Sequence, residues 1–311
     1  MTKHHIDKKR AQAAFNKASA SYEDAAVLQK HVLGEMFLRL KLLKINPETI
    51  LDLGCGPGNA GPDLKANYKP RDLIYLDFAY DMLKKAEDKN KDHFLKSFSN
   101  RTTQQFICAD IEAIPVLENS VDMIWSNLSL QWCNDLDQVF TQIGKILTHN
   151  GLFIFSTFGP GTLYELRASL ASFSQYSHVN QFIDMHDIGD ALVRCGLSDP
   201  VLDVDLYTLT YSTFKDIMYD LKHIGARNAL SGRAKGMTGK GFLYQLEKSY
   251  ETYRTDTKLP ASYEVVYGHA WKVNKPLDES SVVKFYPKQE CIHISLLELI
   301  PILEKQQSHV A

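Results

Sequence analysis

The run Ile50-Leu51-Asp52-Leu53-Gly54-Cys55-Gly56-Pro57-Gly58 constrains this chain more than any other segment. Asn46-Pro47 breaks whatever helix precedes it, and the apolar run that follows reads as a buried strand. Glycines at alternating positions just after it let the chain turn tightly and let a ligand approach the backbone where a Cβ would collide. Beyond this loop the pattern alternates: a helix from about 61, a strand over 73–76, a helix from 81, strands over 105–108 and 121–125, a helix over 136–147 and a strand over 152–157. Alternation at this spacing predicts an α/β fold of mostly parallel strands joined by crossover helices.

The flanks read differently. Residues 8–43 carry apolar side chains three or four apart and predict one or two helices ahead of the sheet. After Thr157 come helices over 162–173 and 185–195, a strand over 201–211, helices over 214–224 and 242–253, and a strand over 263–272. The expected organisation is a helical cover (1–43), a main domain (44–272) with helical insertions near 160–180 and 212–258, and an extension (273–311). In that extension, whose role is not assigned, the apolar segment 292–303, interrupted by Pro301, has no place in the pattern, and a docked terminal helix is the plain alternative.

Composition removes several classes. A chain of 311 residues, 44% hydrophobic and 23% charged, is neither a disulfide-stapled miniprotein nor disordered. A net charge of −2 argues against nucleic acid wrapped over the whole surface. The five cysteines are scattered without CxxC spacing, which suggests no disulfide framework or zinc knuckle and fits a reducing cytoplasm. His4-His5 has no third ligand nearby, so no metal is expected. No apolar run approaches the ~20 residues of a membrane span, and no apolar signal core follows the basic start, so a soluble, unexported protein is expected.

Two further acids sharpen the glycine loop. Asp77 closes the second strand, 21 residues beyond Gly56, where such folds bind both ribose hydroxyls. Asp110 ends another strand, placed to accept an adenine amine, with Ile111 as an apolar wall. Pro57 and Asn59 leave no Lys-Ser/Thr phosphate loop. Each motif alone is also explained by a glycine turn or a helix-capping acid. Together DLGCGPG (52–58), LD (76–77), ADIEAIP (109–115) and SVDMIWSN (120–127) resemble the class I S-adenosylmethionine-dependent methyltransferases. The resemblance implies a Rossmann-like, seven-stranded, mostly parallel sheet flanked by helices, with helical insertions forming a lid. It assigns Asp52, Gly54, Cys55, Gly56 and Gly58 to the methionine end of S-adenosylmethionine, Asp77 to the ribose, Phe78 and Met82 to the ribose and adenine, Asp110 and Ile111 to the adenine, and Asn127 and Leu128 to the side of the sulfonium.

The outer segments narrow the family. FNKASASYEDAAVLQ (15–29), NLSLQWC (127–133), FSTFGPGTLYELR (155–167), DMHDIGDAL (184–192), DLKHIGA (220–226) and YEVVYGHAW (263–271) resemble the malonyl-acyl-carrier-protein O-methyltransferases of biotin synthesis. The resemblance implies methyl transfer to the free carboxylate of a malonyl thioester on acyl carrier protein. Such a carboxylate, with a pKa of about 4 or below, is already ionised at pH 7 and needs no general base. An arginine fork suits the holding role. Arg167, on the helix after the fifth strand, is the first candidate and Arg227 the second, with a surface salt bridge as the alternative for each. Tyr22 and Trp132 are candidates to roof the methyl site, or simply core aromatics. His178, His186 and His269 are assigned no catalysis.

Residues 222–248 hold six basic side chains, Lys222, Arg227, Arg233, Lys235, Lys240 and Lys248, against Glu247. That imbalance suits an acidic carrier, with solvated loop charge as the alternative, and no aromatic-interleaved stripe points to nucleic acid. Competing readings are the methyltransferase-like complex I assembly factors that hydroxylate an arginine, and a non-catalytic S-adenosylmethionine-binding regulator.

Overall fold

The computed structural model describes residues 5–91, 102–173, 179–226, 229–230, 239–273 and 284–294. Helices α1 (Lys8–Ala18), α2 (Tyr22–Ala25) and α3 (Val27–Leu40) precede the sheet. Strands β1 (Thr49–Leu53), β2 (Asp72–Asp77), β3 (Thr103–Cys108), β4 (Val121–Asn127) and β5 (Leu147–Phe158) then alternate with α4 (Gly61–Tyr68), α5 (Tyr80–Asn90) and α6 (Leu136–Ile146). Helices α7 (Tyr164–Ala171) and α8 (Met185–Arg194), strand β6 (Ser198–Tyr211), helices α9 (Phe214–His223) and α10 (Lys240–Tyr250), and strand β7 (Leu259–Trp271) follow as the sequence pattern predicts.

The sheet runs β3-β2-β1-β4-β5-β7-β6, with β1 to β5 parallel and β7 antiparallel to both its neighbours. Strand order reverses at β1, which pairs with β2 on one side and β4 on the other. A crevice opens at such a switch point, outside the carboxyl ends of the strands, and every cofactor motif lies there.

Alternation along the strands builds a core on each face. Ile50, Leu73, Tyr75, Met123, Trp125 and Ile154 pack under α3, where Phe37 stacks on Trp125 at 4.5 Å. Leu51, Ile74, Leu76, Ile124, Phe153 and Phe155 pack with α6 and α8 on the other face. Burial on both faces explains why β1 and β2 read as apolar runs instead of alternating ones.

The tail departs from expectation. An eighth strand, β8 (Lys284–Ile294), extends the expected sheet of seven and pairs parallel to β6. Ile292, His293 and Ile294 stand opposite Tyr207, Thr208 and Leu209, so this part of the unassigned segment is strand and not the docked helix of the plain alternative. The open edge of β6 offers unpaired backbone groups to a β-branched segment, a tertiary demand that local pattern does not announce. The rest of the apolar segment, 295–303, lies outside the described residues. No described helix is long and apolar enough to cross a membrane.

Candidate active site

The glycine loop folds back on the second strand. Backbone N–H groups of Gly54 and Cys55 both donate to Leu76 O, at 2.8 and 3.0 Å, drawing the loop across the end of β2. Gly54 has φ +76°, and a Cβ there would stand 2.4 Å from Ser129 Cβ, so packing alone demands glycine. Gly56 has φ +53°, and its Cβ would meet nothing within 4 Å. Such a side chain would enter a cavity lined by Lys8, Phe15, Tyr22, Gly54, Gly56, Asp77, Phe78, Met82, Asp110, Ile111, Asn127, Leu128, Ser129 and Trp132.

Nearly all the positions expected at the cofactor are thus brought together. Asp52, Cys55 and Gly58 support the loop without lining the cavity: Asp52 and Cys55 are buried, and Gly58 packs against Asn90 and Ala86 of α5. Lys8, Phe15 and Ser129 complete the wall. Phe15 and Ser129 each lie in a family-like segment, whereas Lys8 is an ordinary residue that the fold carries to the site.

Two buried carboxyls set the electrostatics. Asp77 accepts from Gly56 N at 2.9 Å and from Ala79 N at 2.8 Å. Burial raises it to about 6, with backbone hydrogen bonds from Ala79, Gly56 and Phe78 pulling the other way. Asp52, with Oδ2 buried and lacking a hydrogen-bond partner, is raised to about 8 by burial and by the Asp77 charge. Two carboxyls that pair with no cation among the described residues form a site that gains from a positively charged ligand with hydroxyl donors. S-adenosylmethionine has that chemistry, and Gly56 leaves space for it.

At the Asp110 end of the cavity Lys8 of α1 meets Asp110 Oδ1 at 2.9 Å and Glu112 Oε2 at 2.6 Å. Burial pulls the Lys8 ammonium down, but those two acids outweigh it and raise its pKa. Gln12 Nε2 donates to Phe78 O at 2.5 Å and Asp81 N donates to Asn16 Oδ1 at 3.0 Å, so α1 is tied across the site on both sides. At the end of β4 Asn127 Oδ1 accepts from Ser156 Oγ at 2.8 Å, and Ser156 Oγ in turn accepts from Leu128 N at 3.0 Å. Tyr22 and Trp132 both face the cavity, and Trp132 meets Phe15 edge-on at 5.0 Å. Burial, reinforced by Asp77, raises the Tyr22 phenol and keeps it protonated.

A second cavity, of about 290 Å³, lies beside the first and shares Trp132 with it. Its walls are Phe158, Leu163, Leu166, Leu170, Leu221, Leu246 and Tyr263, with Lys222 also lining it. Arg167, the first candidate to hold the acceptor carboxylate, lines neither cavity in this structure. Its Nη2 donates to Pro160 O at 2.7 Å and to Thr162 O at 2.5 Å, so the guanidinium closes the β5–α7 loop. Arg227, Arg233 and Lys235 lie outside the described residues, as does His178. Of the remaining basic stretch, Lys222 stands in the last turn of α9, Lys240 opens α10 and Lys248 stands in its last turn. His186 accompanies the Asp184 cap of α8 and His269 sits in β7, both away from the cofactor cavity. No group of acids, histidines and cysteines that would hold a metal occurs among the described residues.

A family model described as a methyltransferase domain matches residues 51–155, the segment from β1 to β5. Fold and site define a methyltransferase of the S-adenosylmethionine-dependent class. A malonyl-[acyl-carrier protein] O-methyltransferase of Methylovorus sp. is 47% identical over 287 residues, 91% of this chain and 96% of that protein. One from Gallionella capsiferriformans is 44% identical over 283 residues, 90% of this chain and 96% of that protein. Among solved structures, the YcgJ protein of Bacillus subtilis superposes with a TM-score of 0.53 at 13% identity, over 79% of this chain and 100% of that one, which speaks to fold alone. The chain belongs to the malonyl-[acyl-carrier protein] O-methyltransferase family.

Proposed function

We propose that this protein transfers a methyl group from S-adenosylmethionine to the free carboxylate of a malonyl group carried on acyl carrier protein. The observation that carries the reading is the pair of cavities meeting at Trp132: one built for a cationic nucleoside, the other a largely apolar space for an acyl arm. A non-catalytic regulator has no use for the second.

S-adenosylmethionine supplies an electrophilic methyl group on a sulfonium. Asp77 holds the ribose, the glycine loop over 54–58, backed by the buried Asp52, takes the methionine end, and Ile111 and Met82 flank the adenine. Tyr22 and Trp132 roof the reacting end and exclude water, which strengthens every charge interaction beneath them. A carboxylate oxygen forms the new bond to methyl carbon as the carbon–sulfur bond breaks and its electron pair returns to sulfur. No proton moves, so no base is needed, and catalysis rests on alignment and desolvation. Family naming supports the malonyl carrier as substrate. Nucleic acid has no part in this reading, and neither does a membrane. The reaction belongs in the cytoplasm, whose reducing conditions suit the free thiols of Cys55, Cys108, Cys133 and Cys195.

The test is transfer of labelled methyl to malonyl carrier protein, with acetyl carrier protein as control. Label appearing as an ester on the malonyl carrier alone is the expected result. Equal labelling of both, or none, counts against the reading.

A further inference from the structure

The second cavity presents an electrostatic problem. Its acceptor carries a negative charge at the reacting end, yet its walls are leucine, phenylalanine and tyrosine, and Arg167 is turned away onto loop carbonyls. An unpaired carboxylate in such surroundings is strongly disfavoured. Among the described residues lining the cavity, one charged side chain is present, that of Lys222.

Its position can be traced through neighbours. Lys222 is in the last turn of α9, and the Gly225 N–H just beyond that helix donates to Lys222 O at 3.3 Å. Gly225 packs so closely on Phe15 that a Cβ would stand 2.8 Å from that ring. Phe15 in turn meets Trp132 edge-on at 5.0 Å and lines the cofactor cavity. The sequence of contacts from Gly225 to Phe15 to Trp132 brings the last turn of α9, which carries Lys222, to the side of the acceptor cavity that faces the cofactor cavity. Ser21 Oγ, donating to His223 O at 3.4 Å, fastens the same turn to the cover helices. Lys222 is exposed and makes no ion pair among the described residues, so its charge is available to a ligand.

We propose that Lys222 is the seat of the acceptor carboxylate, holding the ionised end of the malonyl group beside Trp132 and setting the preference for a dicarboxylic over a monocarboxylic thioester. The inference rests on the function proposed above and names a group that its mechanism left open. An ammonium donates to one edge of the carboxylate and leaves a lone pair on the other oxygen directed at the methyl carbon. Transfer converts the anion to a neutral ester, which no longer attracts the ammonium, so the same contact that favours substrate entry favours product exit.

The experiment compares malonyl and acetyl carrier proteins binding to the enzyme loaded with S-adenosylhomocysteine, by calorimetry, for wild type, Lys222→Ala and Lys222→Arg. Wild type should bind the malonyl form at least tenfold more tightly. Lys222→Ala should bring the malonyl form down to the acetyl level without moving the acetyl affinity, and Lys222→Arg should restore part of the difference. S-adenosylhomocysteine affinity, unchanged across the three, reports that the variants are folded. A malonyl preference that survives in Lys222→Ala overturns the proposal. Equal weakening of both carriers does so too, since it means that Lys222 steers the carrier and not the carboxylate. Wild type that methylates the malonyl carrier while binding both forms alike also overturns it and leaves the function standing. Wild type that transfers no methyl group to the malonyl carrier removes the functional reading, and this inference with it.

Discussion

Gly56 donates its backbone N–H to Oδ2 of Asp77 at 2.9 Å, while Oδ1 of the same carboxylate accepts from Ala79 N at 2.8 Å. One side chain therefore locks the glycine loop after β1 to the turn after β2 and still faces the cofactor cavity. The two motifs are a single device, with the acid fixing the glycine backbone while its carboxylate lines the same cavity.

Asp77→Ala removes both functions. A carboxylate accepting from two ribose hydroxyls forms charge-assisted bonds of roughly 1.5–3 kcal/mol each. S-adenosylmethionine affinity should fall more than tenfold by calorimetry, and Asp77→Asn, which keeps one acceptor oxygen, should fall between the two. Wild-type affinity in Asp77→Ala would contradict the site assignment.

The raised carboxyls make cofactor binding pH-dependent. Asp52 at about 8 and Asp77 at about 6 lie above the ordinary carboxyl value of about 4, so the ligand-free native state holds protons that the unfolded chain has released. Their contribution to stability therefore declines as pH rises from about 4 toward 8. A cationic ligand favours the ionised carboxylates, so binding near pH 7 should release protons and affinity should rise toward pH 8 before levelling. Titrations at pH 7 in phosphate and in Tris should differ in heat by the proton release times the difference in buffer ionisation enthalpy. Asp52→Asn should shrink that difference, and identical heats in the two buffers for wild type would refute the linkage.

Gly54 and Gly56 should fail in different ways. Alanine at Gly54 drives a methyl group onto Ser129, whose hydroxyl is bonded to Ser126 and to Leu53 O, so the loss should be one of stability, about 1–3 kcal/mol or more. Alanine at Gly56 meets open space and costs roughly 1–2 kcal/mol for its left-handed backbone, while the methyl group obstructs the ligand. Melting temperature and cofactor affinity measured together should separate them: Gly54→Ala melts earlier, whereas Gly56→Ala loses affinity out of proportion to its stability.

What the sequence made legible follows the range of the interactions. Asp52, Gly56, Asp77 and Asp110 announce themselves because strand, turn and acid succeed one another along a short stretch of chain. Lys8 could not be read this way, since it reaches Asp110 from 102 positions away by the packing of α1 over the crevice. Strand β8 was hidden for the same reason, its pairing being set by the free edge of β6. Arg167 shows the opposite hazard. Placing a residue on the correct helix does not give the direction of its side chain, and here the nearby loop carbonyls claim it.

Arg167→Ala should accordingly act on stability. Its Nη2 bonds to Pro160 O and Thr162 O close the β5–α7 loop from one side, while Glu264 holds it from the other, accepting from Gly161 N at 2.6 Å. Burial lowers the Arg167 pKa and Glu264 opposes that shift, consistent with a half-buried guanidinium committed to the loop. Hydrogen bonds from a charged donor are worth about 1.5–3 kcal/mol when well made, less where solvent competes as it does at Pro160. The variant should lose about 1–3 kcal/mol of stability, keep its S-adenosylmethionine affinity, and retain the preference for malonyl over acetyl carrier that Lys222→Ala abolishes. Any fall in kcat/KM should be a fewfold effect that cooling reduces, because a loosened loop orders again as the protein moves away from its melting temperature. A loss of a hundredfold or more in kcat/KM at unchanged melting temperature would restore Arg167 as the group that grips the carboxylate, with the side chain swinging from the loop into the cavity when substrate arrives.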